Sequence, residues 1–584
     1  MEDTNPREAE QFYSREENKR SILIFALSVI FVLLLLVGRC FYIQFLKGPY
    51  YVLASGRQQQ MLIPQRPQRG VILDCRGRII AASNKIQTVF AEPRAIKNIK
   101  KVATELASIL RMDSRHIYKL IEQSKNPGYV KIKETPDTNQ CSAACKIHGI
   151  GVHSSWQRHY PVGPLAANTV GFTGTDNEGL SGIELRYDKQ LRGSPGVNIF
   201  FADARPYRRP IRLKQQEGSP HDGMGIILTL DSTIQQFARA ELLKQYQEYE
   251  AKSALAIVVE PKTGAILAMV SLPDFNPNNI SSAEPNSFRN RVITDQFEPG
   301  SILKPIAMAI ALEAGVVKTN ETIFCENGHY LGKGFGHIKE YRYHKYGNLK
   351  LREILIKSSN IGMAKIGQKL GRKNLYRGLT LFGLGKKTGI DLPGEVSGLL
   401  RPVNQWTGYS VTRIPFGQEV SVTAIELVRA FCILANRGRY VRPYLVKAMV
   451  DSEGKVTQLK RPAPPIGFVV RPEVADWIVT DALVGVVNEK KNGGTGWRAR
   501  LDKWQVFGKT GTAQMAKKKQ KGYSENDYIA SFVAGAPAED PRIVVLVSIC
   551  RPNRKLGKGY TGGAVASPVA AKIIEKTLNY LQQP

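Results

Sequence analysis

Three short groupings carry residue types that could do nucleophilic chemistry: Ser301-Ile-Leu-Lys304, Ser358-Ser-Asn360 and Lys509-Thr-Gly511. A serine hydroxyl is a poor nucleophile until a neighbouring base takes its proton. Serine at the start of a helix with lysine three residues on puts both side chains on one face, a turn apart. Glu298-Pro299-Gly300 supplies a turn from which such a helix can begin. The helix N-terminus also offers partial positive charge to a developing oxyanion. Lys304 acts as a base only when neutral. Burial and a second cation would lower its pKa, and Lys509 is the obvious cation. Ser358 can then relay the proton to a leaving amine, while Asn360 holds Lys304 and a substrate amide. Lys509 and Thr510, on an edge-exposed strand, would bind a terminal carboxylate.

Each grouping is weak alone, because each recurs. Ser452-Glu-Gly-Lys455 repeats the first, Ser524-Glu-Asn526 repeats the second, and Lys-Thr-Gly occurs at 262, 387 and 509. Context separates them. Ser452 sits in an Asp-Ser-Glu-Gly turn, and Lys262 lies in a hairpin turn before any candidate nucleophile. Lys387 runs into Ile-Asp-Leu-Pro, where proline blocks a central strand. Only the set at 301, 358 and 509 gives helix, helix end and strand in a workable order. Gly508-Lys-Thr510 is not a phosphate-binding loop, since Lys503 stands where the earlier glycine is needed. The eight histidines are dispersed with no His-Glu-x-x-His, which speaks against metal catalysis. His337 and His344 read as surface or packing residues.

The elements that must position these residues follow from hydrophobic pattern. Ser232–Tyr249 reads as a helix capped by Asp231 or Ser232. Ala254–Val259 and Ala265–Ser271 are apolar strands joined by the turn Pro261-Lys-Thr-Gly264. A late hairpin pairs Tyr528–Ala536 with Ile543–Cys550. Helices are expected over Leu303–Ala314, Leu351–Leu370 and Ala424–Ala435, with an amphipathic helix over Ser567–Leu581 at the end. Strands first and last with helices between predict an α+β domain whose sheet is built from both ends of the segment. The clearest break before it is the polar cluster Glu217-Gly-Ser-Pro-His-Asp-Gly223. Lys517-Lys-Lys-Gln-Lys521 reads as a solvated loop between strands.

At 584 residues the chain calls for two or three domains. A net charge of +32 fits nucleic acid, a membrane surface or an anionic polymer. No zinc-ligand spacing, RNA-binding signature or long basic helix favours nucleic acid. The cysteines at 40, 75, 141, 145, 325, 432 and 550 read mostly as free or buried thiols, with a Cys141–Cys145 disulfide left open. From Ile22 to Val37 the only polar side chain is Ser28, and apolar character continues to Leu46 past Arg39 and Gln44. That reaches the roughly 20 residues of a spanning helix. No small-x-small cleavage site follows, and Arg39 occupies the place a lipoprotein would need small before Cys40, so an uncleaved anchor is expected. Lys19 and Arg20 before the run put the tail inside and the bulk outside.

The blocks around the trio carry a closer resemblance. Phe297-Glu-Pro-Gly-Ser-Ile-Leu-Lys-Pro305, Lys357-Ser-Ser-Asn-Ile-Gly-Met363 and Gly508-Lys-Thr-Gly-Thr-Ala-Gln514 resemble the active-site blocks of class B penicillin-binding proteins. Leu228-Thr-Leu-Asp231, Asp391-Leu-Pro-Gly-Glu395 and Asp540-Pro-Arg-Ile543 match supporting blocks, while Arg69-Gly-Val-Ile and Gly182-Ile-Glu184 resemble the non-catalytic pedestal. Four positions depart: Cys75 stands where arginine is usual, Phe507 where alanine is, and Glu419 and Glu426 where glycine and glutamine are common. Phe507 adjoins the substrate strand and is expected to bear on pocket shape. The resemblance implies an α+β transpeptidase domain like that of serine β-lactamases, an antiparallel sheet flanked by helices. It implies a cytoplasmic tail (1–20), an anchor (21–46), a mixed pedestal (47–220) and a transpeptidase domain (221–584).

The same resemblance implies the reaction. Ser301 attacks the D-Ala-D-Ala bond of a peptidoglycan stem, releases D-alanine, and passes the acyl group to an amine on a neighbouring stem. Catalytic roles fall to Ser301, Lys304, Ser358, Asn360 and Lys509, and substrate binding to Thr510, Gly511 and Thr512. Backbone N–H groups of Ser301 and Thr512 form the oxyanion hole, and β-lactams acylate Ser301. No cofactor is implied. The implied partners are stem peptides, β-lactams, the membrane, a glycosyltransferase and other division or elongation proteins, at the inner membrane. Gly171-Phe-Thr-Gly-Thr-Asp-Asn-Glu-Gly179 and Gly562-Gly-Ala-Val-Ala-Ser-Pro568 look more like the division type than the elongation type. A β-lactamase or antibiotic sensor shares the trio but not the pedestal. A bifunctional glycosyltransferase is disfavoured by residues 47–220, and a catalytically idle division scaffold by the intact trio.

Overall fold

A computed structural model describes residues 6–65, 67–135, 137–201, 211–212, 220–459, 467–517 and 522–582. Residues 217–219 of the expected break and 518–521 of the expected lysine-rich loop lie outside the described residues. The chain forms two compact units, one of residues 1–66, 94–97 and 195–220, the other of 67–93, 98–194 and 221–584.

In the first unit a single helix, α1 (Pro6–Phe41), runs on through a wider π-helical turn at Tyr42–Leu46. Its stretch Asn18–Leu46 is 29 residues long and apolar enough to cross a membrane. At 1.5 Å per residue that is about 40 Å of helix, more than the ~30 Å of hydrocarbon to be crossed. The one hydroxyl between Ile22 and Val37 is satisfied locally, Ser28 Oγ donating to Phe25 O at 2.7 Å. The same unit pairs Gln60–Gln65 antiparallel with Gly196–Phe201.

Two large sheets organise the second unit, beside three two-stranded pairings among the described residues. The mixed one contains β1 (Ile72–Leu73), β2 (Ile79–Ala91), β3 (Val130–Thr135), β4 (Ile150–His159) and β5 (Gly225–Leu228). β1 pairs in parallel with β5, Ile72 opposite Ile226, so strands far apart in sequence share one sheet. The two pedestal motifs meet here. Arg69, fully buried, donates to Glu184 at 2.6 Å and to Asp188 at 2.7 Å, and Arg158 takes the other Glu184 oxygen at 2.7 Å. A buried carboxylate held by two guanidiniums satisfies the rule that interior charge must be paired. Where Cys75 replaces the usual arginine, its neighbours supply the charge: Arg76 Nε and Arg78 Nη2 reach Asp231 at 3.0 and 2.6 Å.

Asp231 also starts α2 (Ser232–Glu248), accepting from Thr233 N and Ile234 N as an N-cap. After it come β6 (Ser253–Val259) and β7 (Ile266–Leu272), the expected first hairpin. α3 (Lys304–Glu313), α4 (Leu351–Ile356), α5 (Asn360–Leu381) and α6 (Ala424–Ala435) follow. Then β8 (Val446–Val450), on β5 in the mixed sheet, precedes β9 (Phe507–Ala516), β10 (Tyr523–Ala536), β11 (Ile543–Cys550) and α7 (Ser567–Gln582). The second sheet is antiparallel with order β7-β6-β11-β10-β9. Both its faces are buried, which is why its strands read as apolar runs. Ala254, Ala256 and Val258 face α2 and α7, while Leu255, Ile257 and Val259 face the core that holds α3, α5 and α6. That period of two puts one helical layer on each side; β9 is an edge strand, with the turn before α3 against it.

Candidate active site

Ser301 sits in a 3₁₀ turn, Gly300–Leu303, that leads into α3. Gly300 has φ +55°, a left-handed conformation that glycine adopts freely. α3 is buried on every side from Lys304 to Leu312, as a core helix must be when apolar all round. Lys304, the one ionisable residue in that buried run, has no exposure at all. As second residue of the turn, Ser301 has a backbone N–H with no intrahelical acceptor. Its hydroxyl makes no hydrogen bond among the described residues.

The second grouping differs from the sequence expectation. The single helix expected over Leu351–Leu370 is two, α4 and α5, broken at Lys357–Ser359. Ser359 caps α5, its Oγ accepting from Gly362 N at 2.9 Å, and a capping serine outcompetes helix continuation. Ser358 is left at φ +59°. That strained backbone turns its carbonyl and hydroxyl onto Lys304, at 2.5 and 3.2 Å from Nζ, with Asn360 Oδ1 at 2.8 Å. The expected end at Leu370 does coincide with a kink, at Gly371 (φ +75°).

Lys509 reaches the same point from the open edge of β9. Fully buried, it places Nζ 2.9 Å from Ser358 Oγ, so the two lysines share one serine hydroxyl. Alternation sends Thr510 and Thr512 to the opposite face, where Thr510 Oγ1 lies 2.8 Å from Thr495 Oγ1 and Thr512 Oγ1 accepts from Gly562 N at 3.1 Å. Gly511 is where β9 crosses the Ser301 turn. A Cβ there would lie 2.8 Å from Ile302 Cγ1 and 3.0 Å from Pro299 O, which is why the position takes no side chain. Phe507 is fully buried in the core opposite Gly535, whose missing Cβ makes room for its ring. Its bulk therefore bears on the sheet and not on the groove.

Burial lowers the Lys304 pKa to about 7, against a smaller opposing pull from Glu340. Burial also pushes Lys509 well down, and repulsion from Lys304 adds to it. Of the two expected causes, loss of water acts on Lys304, while the repulsion between the two lysines falls on Lys509. Two buried ammoniums on one hydroxyl cannot both persist. The geometry suits a neutral Lys304. Ser358 O and Asn360 Oδ1 are pure acceptors for its two N–H groups, leaving the lone pair for a hydroxyl proton.

Sequence reasoning missed Glu340. It is 4% exposed, and its carboxylate accepts from Ser359 Oγ, Asn360 N (2.7 Å) and Ile361 N (3.2 Å). It fixes the start of α5 from 20 residues upstream, in a segment with no pattern to flag it. The repeated groupings fall away. Ser452 lies in a turn closed by Asp451, Ser524 bonds its own Asp527 (3.2 Å), and Lys262 pairs with Asp540 (2.6 Å). His337 packs on His329 at the surface, with ring nitrogens 3.2 Å apart, and His344 stacks on Tyr346. Glu419 has φ +61°, a conformation that explains glycine in its place. Glu426 closes a capping box with Thr423 and accepts from Gly398 N at 2.6 Å, and burial raises its pKa to about 7. Cys141 and Cys145 are free thiols.

A buried Ser-x-x-Lys turn, a Ser-x-Asn break and a Lys-Thr-Gly edge strand, on this sheet, define a penicillin-recognising serine acyltransferase. Residues 254–575 match the family described as penicillin binding protein transpeptidase domain, and 64–228 match the penicillin-binding protein dimerisation domain. Stage V sporulation protein D of Bacillus subtilis is 34% identical over 568 residues, covering 96% of this chain and 85% of that one. Peptidoglycan D,D-transpeptidase FtsI of Escherichia coli is 31% identical over 558 residues, covering 94% and 89%. Penicillin-binding protein 3 of Mycobacterium tuberculosis, solved with ampicillin, superposes with TM-score 0.69 at 26% identity over 89% of this chain and 97% of that one. The chain belongs to the class B penicillin-binding proteins. It is a peptidoglycan D,D-transpeptidase, a serine-type acyl-transfer enzyme, and its apolar N-terminal helix fits a single-pass membrane anchor.

Proposed function

We propose that Ser301 forms the acyl-enzyme, and that the hydroxyl shared by Lys304 and Lys509 is the observation that carries the mechanism. Neutral Lys304 takes the Ser301 proton as Oγ bonds to the penultimate D-Ala carbonyl. Backbone N–H groups of Ser301 and Thr512 hold the resulting oxyanion. The proton passes through Ser358 to the leaving nitrogen, the peptide C–N bond breaks, and D-alanine departs. An amine of a second stem then attacks the ester, loses its proton by the reverse route, and frees Ser301. Asn360 fixes Lys304 and the stem amide. Lys509, Thr510, Gly511 and Thr512 bind the terminal carboxylate, whose charge restores the ammonium on Lys509.

β-Lactams acylate the same oxygen, since their strained amide presents the same carbonyl and a carboxylate. In this reading residues 1–20 are a cytoplasmic tail, 21–46 the anchor, 47–220 a pedestal and 221–584 the catalytic domain on the outer face of the membrane. The runs 171–179 and 562–568, which look like the division type, favour septal wall synthesis, and the family resemblance implies a glycosyltransferase and other division proteins beside it.

Full-length protein in detergent, incubated with a fluorescent penicillin and run on a denaturing gel, tests the assignment. Wild type should carry a stable label that Ser301→Ala loses. A label on both proteins, or on neither while both are folded, would remove Ser301 as the nucleophile.

A further inference from the structure

Both walls of the Ser301 cleft lead to one cluster of tyrosines and arginines. On one wall Asn360 Nδ2 donates to Lys339 O at 3.1 Å, and two residues on stands Tyr341. On the other Gly562 N donates to Thr512 Oγ1 at 3.1 Å, and two residues before it stands Tyr560. The two phenol oxygens are hydrogen-bonded at 3.3 Å. Contacts running from the Ser-x-Asn break to the substrate strand therefore close into a ring through this pair. The strand itself points there as well: Gln514 Nε2, two residues past Thr512, donates to Tyr528 OH at 3.3 Å, and the Tyr528 and Tyr560 rings lie 4.6 Å apart.

The cluster carries two guanidiniums. The Arg342 guanidinium lies 5.4 Å from the Tyr341 ring centroid, and that of Arg554 lies 4.5 Å from Tyr560 and 5.3 Å from Tyr528. Among the described residues neither pairs with a carboxylate. Arg554 Nη1 donates to Glu525 O (2.6 Å) and Asn526 Oδ1 (3.5 Å). Both cations, with the Tyr341 hydrogen bond as the larger cause, hold the Tyr560 hydroxyl below the ordinary phenol range. Arg342 has φ +54°, a conformation a non-glycine residue keeps at a cost. Tyr341 remains 44% exposed, so the cluster is open to a ligand. Guanidiniums steadied over aromatic faces beside phenol donors suit a carboxylate.

We propose that Arg342 and Arg554, with Tyr341 and Tyr560, recognise a second carboxylate on the donor stem peptide, beyond the scissile D-Ala-D-Ala end. This inference rests on the Ser301 transpeptidase reading. A stem whose terminal carboxylate sits at Thr510–Thr512 and whose chain follows β9 toward Gln514 passes the cluster. There its carboxylate takes over the hydrogen bonds of the tyrosine pair and ties the two walls together. These are specificity residues, away from the reacting atoms.

The test uses full-length protein and two synthetic stem pentapeptides, identical except that the internal carboxylate is free in one and a primary amide in the other. D-Alanine release gives kcat/KM for wild type, Arg342→Ala, Arg554→Ala and the double variant, beside fluorescent penicillin labelling of each. Wild type should prefer the free acid about tenfold, as one charge-assisted pair implies. The variants should lose that preference through KM on the acid stem, with amide-stem turnover and penicillin labelling unchanged. No preference in wild type, or a preference that survives the double variant, overturns the proposal. So does a loss spread evenly over both stems and penicillin. Failure of wild type to take the penicillin would count against the Ser301 reading instead.

Discussion

Glu340→Gln removes a charge from the frame of the active site while keeping its volume. The carboxylate accepts from Ser359 Oγ, Asn360 N and Ile361 N. Charge-assisted hydrogen bonds contribute about 1.5–3 kcal/mol each. Glutamine keeps one oxygen for these donors and turns an NH₂ group toward the rest, so the loss comes to about 2–4 kcal/mol of stability. A second effect is electrostatic. Glu340 raises the Lys304 pKa against the larger lowering by burial that leaves it at about 7. Without Glu340 that pKa falls further.

A base is active when deprotonated, so the acylation rate of the free enzyme should rise with pH through the Lys304 pKa. In Glu340→Gln the midpoint should move to lower pH. The plateau should fall about tenfold or more, because Ser358 and Asn360 are held less firmly. The assay is stopped-flow acylation by a chromogenic β-lactam from about pH 5 to 9, read as a second-order constant, with a thermal melt for stability. A midpoint that stays put or moves up would refute the reasoning, since Lys304 would then not be the titrating base.

Ser358→Ala removes the hydroxyl shared by Lys304 and Lys509; acylation should drop about 10²-fold or more in the same stopped-flow assay, and near wild-type rates would discard the relay. Gly511→Ala forces a Cβ to 2.8 Å from Ile302 Cγ1. It should cost about 1–3 kcal/mol and abolish penicillin labelling, whereas a labelled, fully stable variant would mean β9 can shift without consequence. Arg69→Ala leaves Glu184 buried with Arg158 as its remaining guanidinium. About 3–5 kcal/mol should be lost from the melt of the second unit, and labelling below the new midpoint should persist.

Much of this protein was legible in its residues. The caps and strands that came out as read are those where one local rule sufficed. Asp231 caps α2 because its carboxylate meets the first free N–H groups, and α6 spans Ala424–Ala435 as expected because Thr423 and Glu426 box its start. The core hairpins were visible because strands buried on both faces are continuously apolar. The break between α4 and α5 was not. Leu351–Leu370 keeps helical periodicity through it, and a cap at Ser359 with Glu340 behind it reverses the outcome.

What the sequence determined by itself was the inventory: an apolar helix long enough to span a membrane, the Ser301, Ser358 and Lys509 groupings, and the order of helix and strand that sets this trio apart from its repeats. These are short-range properties of spacing and pattern. Tertiary structure alone decided the chemistry of that set. Lys304 has a pKa of about 7 because it is buried in a core helix, and the two lysines meet at one hydroxyl because an edge strand more than 150 residues away packs against the break at Ser358. Glu340 joined the site, and Arg69 found Glu184, only through folding. Burial and charge pairing depend on what surrounds a group in space, and no reading along the chain contains that.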